Sequence, residues 1–107
     1  MLKVQIVAVQ VAEGLREVLP RIRKADPDLC RQVQRAMTSV VLNLAEGSGN
    51  DGGTARARFA TACGSAKEVR AGLRLACAYG YVSAAQSAGL DDALDSVCAM
   101  SWRLSGR

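Results

Sequence analysis

The sequence predicts an all-α protein, an antiparallel up-and-down four-helix bundle with residues 1–107 as one domain. Three observations point there. Apolar residues recur at three- and four-residue steps along four segments. Turn signals at Asp26-Pro27, Gly47–Gly53 and Gly80 separate those segments. The composition is 50% hydrophobic with only one Trp, two Tyr and one Phe, so the core is aliphatic, and abundant alanine favours helix. The helices are expected at about 2–24, 27–46, 54–79 and 83–104.

In the first helix, Val4, Val7, Val11, Leu15, Val18 and Ile22 form the apolar stripe. Pro20 falls inside that pattern and predicts either an end near Leu19 or a kink, because proline removes a helical N–H. Leu2, Ile6 and Val9 extend the apolar surface beyond the stripe, a surplus that suits an oligomer interface. Asp26-Pro27 starts the second helix, with aspartate as N-cap and proline at the first helical position. Gly47–Gly53 reads as a flexible polar connection. The third helix is the most regular: Ala55, Phe59, Ala62, Ala66, Val69, Leu73 and Ala76 form a heptad seam of mostly small residues that permits close approach. Gly80 closes it. Ser83-x-x-Gln86 is a capping box for the fourth helix, whose apolar face is Leu90, Ala93, Leu94, Val97, Met100 and Leu104. Gly89 weakens that helix's first turns and leaves a start at Asp91 open. Trp102 reads as a cap on the bundle end.

The segment Arg35–Gly49 carries two stripes. Val33, Met37, Val40 and Leu44 form the apolar one; Arg35, Ser39, Asn43 and Glu46 form a polar one centred roughly 135° away. Serine and asparagine are mediocre helix formers, so an ordinary solvated face would favour Lys, Glu or Gln. The polar stripe has two readings. It could line a ligand or partner site. Alternatively, Ser39 and Asn43 hydrogen-bond across a helix or subunit contact and Arg35 and Glu46 pair to a neighbour, with Ser65 and Glu68 of the third helix offering partners; the short side chains favour this structural reading.

This segment resembles the signature of the four-helix-bundle proteins encoded in intervening sequences of bacterial 23S ribosomal RNA genes. The pattern Q-x-x-R-A-x-x-S-[IV]-x-x-N-[IL]-A-E-G is matched by Gln32, Arg35, Ala36, Ser39, Val40, Asn43, Leu44, Ala45, Glu46 and Gly47. Ala62-Cys-Gly-Ser-Ala-Lys-Glu68 resembles the family's A-x-G-S-x-x-E, and Gly80-Tyr81 its turn before the last helix. Val41 stands where the family often has proline, and Asn50 where it often has a basic residue. The resemblance implies a homo-oligomer, a ring-like pentamer. It also implies kinship with the nucleic-acid-binding accessory subunits of diversity-generating retroelements.

Catalysis has little to work with. There is no histidine, and Asp91, Asp92 and Asp95 read as partners of the fourth helix's dipole rather than a paired-carboxylate site. The glycine-rich connection lacks the GK[ST] ending of a phosphate loop. Cys30, Cys63, Cys77 and Cys98 form no CxxC and read as small hydrophobes in a reducing, cytoplasmic setting. No enzyme activity, cofactor, metal or membrane span is expected.

Charge is more informative. The net charge is +4, and residues 1–82 hold 12 Lys/Arg against seven acids. Arg56, Lys67, Arg70 and Arg74 fall within about 60° of one another on the third helix. The second helix adds Arg31, and the first adds Arg16, Arg21, Arg23 and Lys24. A basic helix face suits phosphate backbones, so RNA or DNA is the first partner expected through Arg56, Lys67, Arg70 and Arg74. The alternative is a protein-interaction scaffold or accessory subunit with no nucleic-acid contact, its charges simply solvated. Few aromatics argue against single-strand stacking and for shape- and phosphate-based binding.

Overall fold

A computed structural model describes residues 1–106, and its principal extents are 42 × 22 × 21 Å. Four helices follow one another: α1 Lys3–Ala25, α2 Pro27–Gly49, α3 Gly52–Ala78 and α4 Ala84–Leu104. There is no strand among the described residues. The contacts run in opposing register. Ser39 meets Ser65 and Glu46 meets Arg58 between α2 and α3. Arg70 meets Asp91 and Asp95, and Cys63 meets Cys98, between α3 and α4. As one number rises the other falls, so these neighbours are antiparallel. α1 packs against both α2 and α4 and closes the bundle.

The predicted stripes are the core. Val4, Val11, Leu15, Val18 and Ile22 of α1 are buried against Val33, Met37, Val40 and Leu44 of α2 and against the α3 seam from Phe59 to Ala76. Leu94 and Val97 complete it from α4, while Leu104 remains exposed. Cys30, Cys63 and Cys98 are buried, Cys77 is half-buried, and all four thiols are free.

Capping follows local chemistry. The Asp26 carboxylate accepts from the Leu29 N–H at 3.0 Å, with Pro27 opening α2. Ser83 Oγ accepts from the Gln86 N–H, and the Gln86 side chain accepts from the Ser83 N–H at 2.8 Å. The end of α3 is a Schellman turn: Tyr81 N–H reaches the Ala76 carbonyl and Gly80 N–H the Cys77 carbonyl. Gly80 has φ +78°, a conformation that costs glycine nothing.

Three expectations are corrected. α1 does not end near Leu19 but runs through Pro20 to Ala25, in keeping with the expected span of about 2–24. Pro20 is exposed, so the missing hydrogen bond faces water, while Val18 and Ile22 on either side anchor the helix in the core. The connection expected over Gly47–Gly53 shrinks to Asn50 and Asp51, because α2 runs through Gly47 to Gly49 and α3 begins at Gly52. Gly47 is a packing position: a Cβ there would lie 2.9 Å from the Phe59 ring. Asp91 and Asp95 lie well beyond the first turn of α4, which starts at Ala84, and they serve ion pairs with α3 rather than the helix dipole.

Candidate nucleic-acid interface

One member of the basic stripe expected on α3, Arg70, does not stand free in water. Arg70 Nε donates to Asp91 Oδ1 at 3.1 Å, and its Nη1 donates to Asp95 Oδ1 at 2.9 Å. The Arg70 side chain is only 21% exposed. The hydrogen bond from Arg70, opposed by partial burial and helped by the charges of Arg70 and Arg74, holds the Asp91 carboxyl below the usual carboxylate range. The same hydrogen bond raises the Arg70 pKa further, so this guanidinium stays charged. Arg74 Nη2 lies 3.5 Å from Asp91 Oδ2, with most of its side chain in solvent. Lys67 Nζ sits 5.9 Å from the centre of the Trp102 ring, a cation–π distance. Arg56 is exposed near the opposite end of α3, where its side chain passes close to Gly106. The wheel angle of the four residues is as expected, but that angle points Arg70 at α4, whose acids occupy it.

The polar stripe of α2 meets α3. Ser39 Oγ and Ser65 Oγ are 2.8 Å apart, one hydroxyl donating to the other. Asn43 Nδ2 donates to Ser39 Oγ at 3.1 Å and to the Ser39 carbonyl at 2.9 Å. Asn43 Oδ1 accepts from Arg58 Nη1 at 3.5 Å, and Arg58 Nε pairs with Glu46 Oε2 at 3.0 Å. A continuous polar line, an ion pair followed by hydrogen bonds, thus crosses from Glu46 to Ser65. Arg58, its central cation, carries no signal in the sequence; its spacing to Glu46 becomes visible only once the α2–α3 turn is known to be two residues long. Arg35 and Glu68 stay outside this line. Both are exposed, and neither has an ion-pair partner among the described residues.

A second concentration of charge occupies the bundle end where α1 turns into α2. Residues 16–35 hold six Lys/Arg against three acids. Arg16, Arg21, Arg23 and Lys24 are exposed, with no carboxylate within 4.0 Å among the described residues. Arg31 pairs with Asp28 at 3.0 Å on an open surface, where such pairs are weak. Asp26 is already engaged, accepting from the Leu29 N–H and from the Tyr81 hydroxyl at 3.3 Å. Partial desolvation, with the nearby Asp26 charge, pushes the Tyr81 phenol up from its ordinary pKa, so it remains a donor. The Tyr79 ring lies 5.5 Å from the Tyr81 ring, inclined at 57°. These tyrosines, brought to the basic end by the α3–α4 turn, had no sequence signal linking them to α1.

Among the described residues no three His, Cys, Asp or Glu side chains converge to hold a metal ion, and no helix is long and apolar enough to cross a membrane. Together, the aliphatic core, the hydroxyl-lined α2–α3 contact and the short turns define a small all-α four-helix-bundle protein. The chain belongs to the 23S rRNA-intervening sequence protein family, whose model matches residues 2–103. The match takes in α1 and most of α4, beyond the Gln32–Ser83 stretch in which individual residues carry the resemblance. No curated protein and no solved structure matches the chain significantly.

Proposed function

We propose that this protein is a non-catalytic, self-associating bundle that binds nucleic acid through phosphate contacts. The observation that carries this reading is the uneven pairing of charge. Arg70 is occupied by Asp91 and Asp95, whereas Arg16, Arg21, Arg23 and Lys24 lie exposed along the C-terminal part of α1 without ion-pair partners among the described residues. Phosphates supply the missing negative charge, and each one engaged releases condensed counterions. Of the four α3 residues first expected to bind, Arg74 keeps most of its side chain in solvent although it lies near Asp91. Lys67 and Arg56 add exposed charge further along α3, and Arg70 holds the helix pair together. Self-association multiplies the field of each copy. It is supported by the exposed Leu2, Ile6, Val9 and Leu42 and by Arg35 and Glu68, opposite charges left without partners among the described residues. A homopentamer and a cytoplasmic setting, consistent with four free thiols, belong to the same proposal.

The test is binding of a labelled RNA or DNA duplex over a range of salt concentrations, with sedimentation for oligomer size. Replacing Arg21, Arg23 and Lys24 together by serine is expected to weaken binding at least tenfold. The same change flattens the salt slope by about 0.9 for each phosphate that is no longer neutralised. Salt-independent binding, or an unchanged slope in the triple variant, refutes the phosphate surface. The scaffold reading gains only if the wild type ignores nucleic acid while still self-associating.

A further inference from the structure

Two of the chain's four aromatic side chains lie at the end where α1 turns into α2, the end that also carries the exposed Arg21, Arg23 and Lys24. Phe59 is buried in the core, and Trp102 is placed beside Lys67. Tyr79 and Tyr81 instead follow the C-terminus of α3, and the Tyr81 hydroxyl is hydrogen-bonded to Asp26 in the α1–α2 turn. That bond ties the ring pair to the segment that directly follows Arg23 and Lys24. The rings play different parts. Tyr81 is half-buried and fixed, packed at the core's edge with its hydroxyl satisfied. Tyr79 is 57% exposed and buttressed by Tyr81 at 5.5 Å. The Schellman turn that follows, with Gly80 at φ +78°, fixes the backbone of both.

An exposed aromatic ring braced at the bundle end that carries exposed cations has the makings of a base-stacking platform. Stacking requires a π-face that costs little conformational entropy to immobilise, and phosphate contacts within a nucleotide or two of it. Only a base not already covered in a duplex can use such a ring. We infer that this end of the bundle binds single-stranded nucleic acid, with one base stacked on Tyr79 and the adjoining phosphates held by Arg21, Arg23 and Lys24. This inference rests on the phosphate-binding reading and narrows it from nucleic acid in general to unpaired strands. It also reverses the expectation, drawn from the low aromatic content, that stacking plays no part. The number of aromatics matters less than where they are.

The test uses the full chain and two fluorescent probes, a 12-nucleotide oligouridine and a 12-base-pair RNA duplex, at low and moderate salt. Tyr79→Ala is expected to weaken oligouridine binding about tenfold and leave duplex binding within about twofold of wild type. Tyr79→Trp restores or strengthens oligouridine binding, because a larger π-face stacks at least as well. Since Tyr79 is exposed, an unchanged circular dichroism melt shows that the weakening comes from the missing ring and not from unfolding. If Tyr79→Ala binds oligouridine as tightly as wild type, while the Arg21, Arg23, Lys24 serine variant loses both probes, stacking is overturned and phosphate binding stands. If wild type binds neither probe at low salt, both readings fall.

Discussion

Toward α2, helix α3 presents Ser65 and the bare backbone of Gly72; toward α4 it presents Cys63 and Arg70. Between Ser65 and Gly72 the first contact is fixed by shape and neutral hydrogen bonds, and its one ion pair, Arg58–Glu46, lies further along at an exposed position. A Cβ on Gly72 would lie 2.5 Å from Val33 Cγ2, and Ser65 Oγ is 2.8 Å from Ser39 Oγ. The second is reinforced by charge, with Arg70 reaching two carboxylates at its rim. The lesson is that one helix can be tied to its two neighbours by forces with different sensitivities. The α2 contact around Ser65 and Gly72 responds to volume and little to salt, since its ion pair Arg58–Glu46 is exposed and weak. The α4 contact responds in addition to pH and ionic strength through Arg70 and Asp91.

The largest effect is expected where space is shortest. Gly72→Val puts a branched side chain against Val33, itself buried and stiff. Separating the helices or displacing Val33 costs about 2–3 kcal/mol, which lowers the melting temperature by about 10 °C or more. Valine's better helix propensity than glycine recovers only a few tenths of a kcal/mol. Thermal melts at two salt concentrations should show the same drop in both. A variant that melts with wild type would mean that α2 and α3 are not held so close at Gly72.

Asp91→Asn probes the charged side of the comparison, with an expected destabilisation of about 1 kcal/mol at neutral pH. That lies between the values for open and buried pairs because Arg70 keeps Asp95. The pH dependence has a definite sign. The Asp91 pKa is lowered in the folded protein, chiefly by the Arg70 hydrogen bond, so its contribution is complete above the ordinary carboxylate range. It is lost as pH falls through the lowered folded value. Wild type and Asp91→Asn should therefore differ most near neutrality and converge in acid, and high salt should narrow the gap. A constant difference down to strong acid would show that Asp91 acts by packing and not by charge.

How much of this is legible in the sequence follows the same division. The Asp26 cap, the Ser83–Gln86 box and the Gly80 turn are local devices within a few residues of chain, and all three can be read directly from it. The α3 seam from Ala55 to Ala76 is legible for a related reason, since periodicity is a property of one helix. Ser39 facing Ser65 is within reach because short polar residues at helical spacing are poorly explained by solvent alone. What escapes depends on neighbours. Gly47 looks like a stop until Phe59 is seen against it, and Pro20 looks like a break until it is seen to face water. Arg70 looks like a binding cation until α4 brings Asp91 and Asp95 alongside. Tyr79 and the α1 cations are more than fifty residues apart, and no periodicity joins them.

The smallest expected effects concern single hydroxyls, and here sign is more telling than size. Ser65 Oγ is partnered at 2.8 Å, so Ser65→Ala leaves Ser39 with one fewer bond at a nearly dry contact and costs about 1 kcal/mol. Ser101, on the core side of α4, is fully buried, and its Oγ has no hydrogen-bond partner among the described residues. Burying such a group carries a desolvation cost that nothing repays, and alanine is also the better helix former. Ser101→Ala is therefore expected to stabilise the bundle by about 0.5–1 kcal/mol. The substitution is the same and the burial is similar; only the partner differs. Urea denaturation of both variants reads the contrast directly. If both lose stability equally, the Ser39–Ser65 bond has no special standing, and α2 and α3 are held by their apolar packing and the Arg58–Glu46 pair without it.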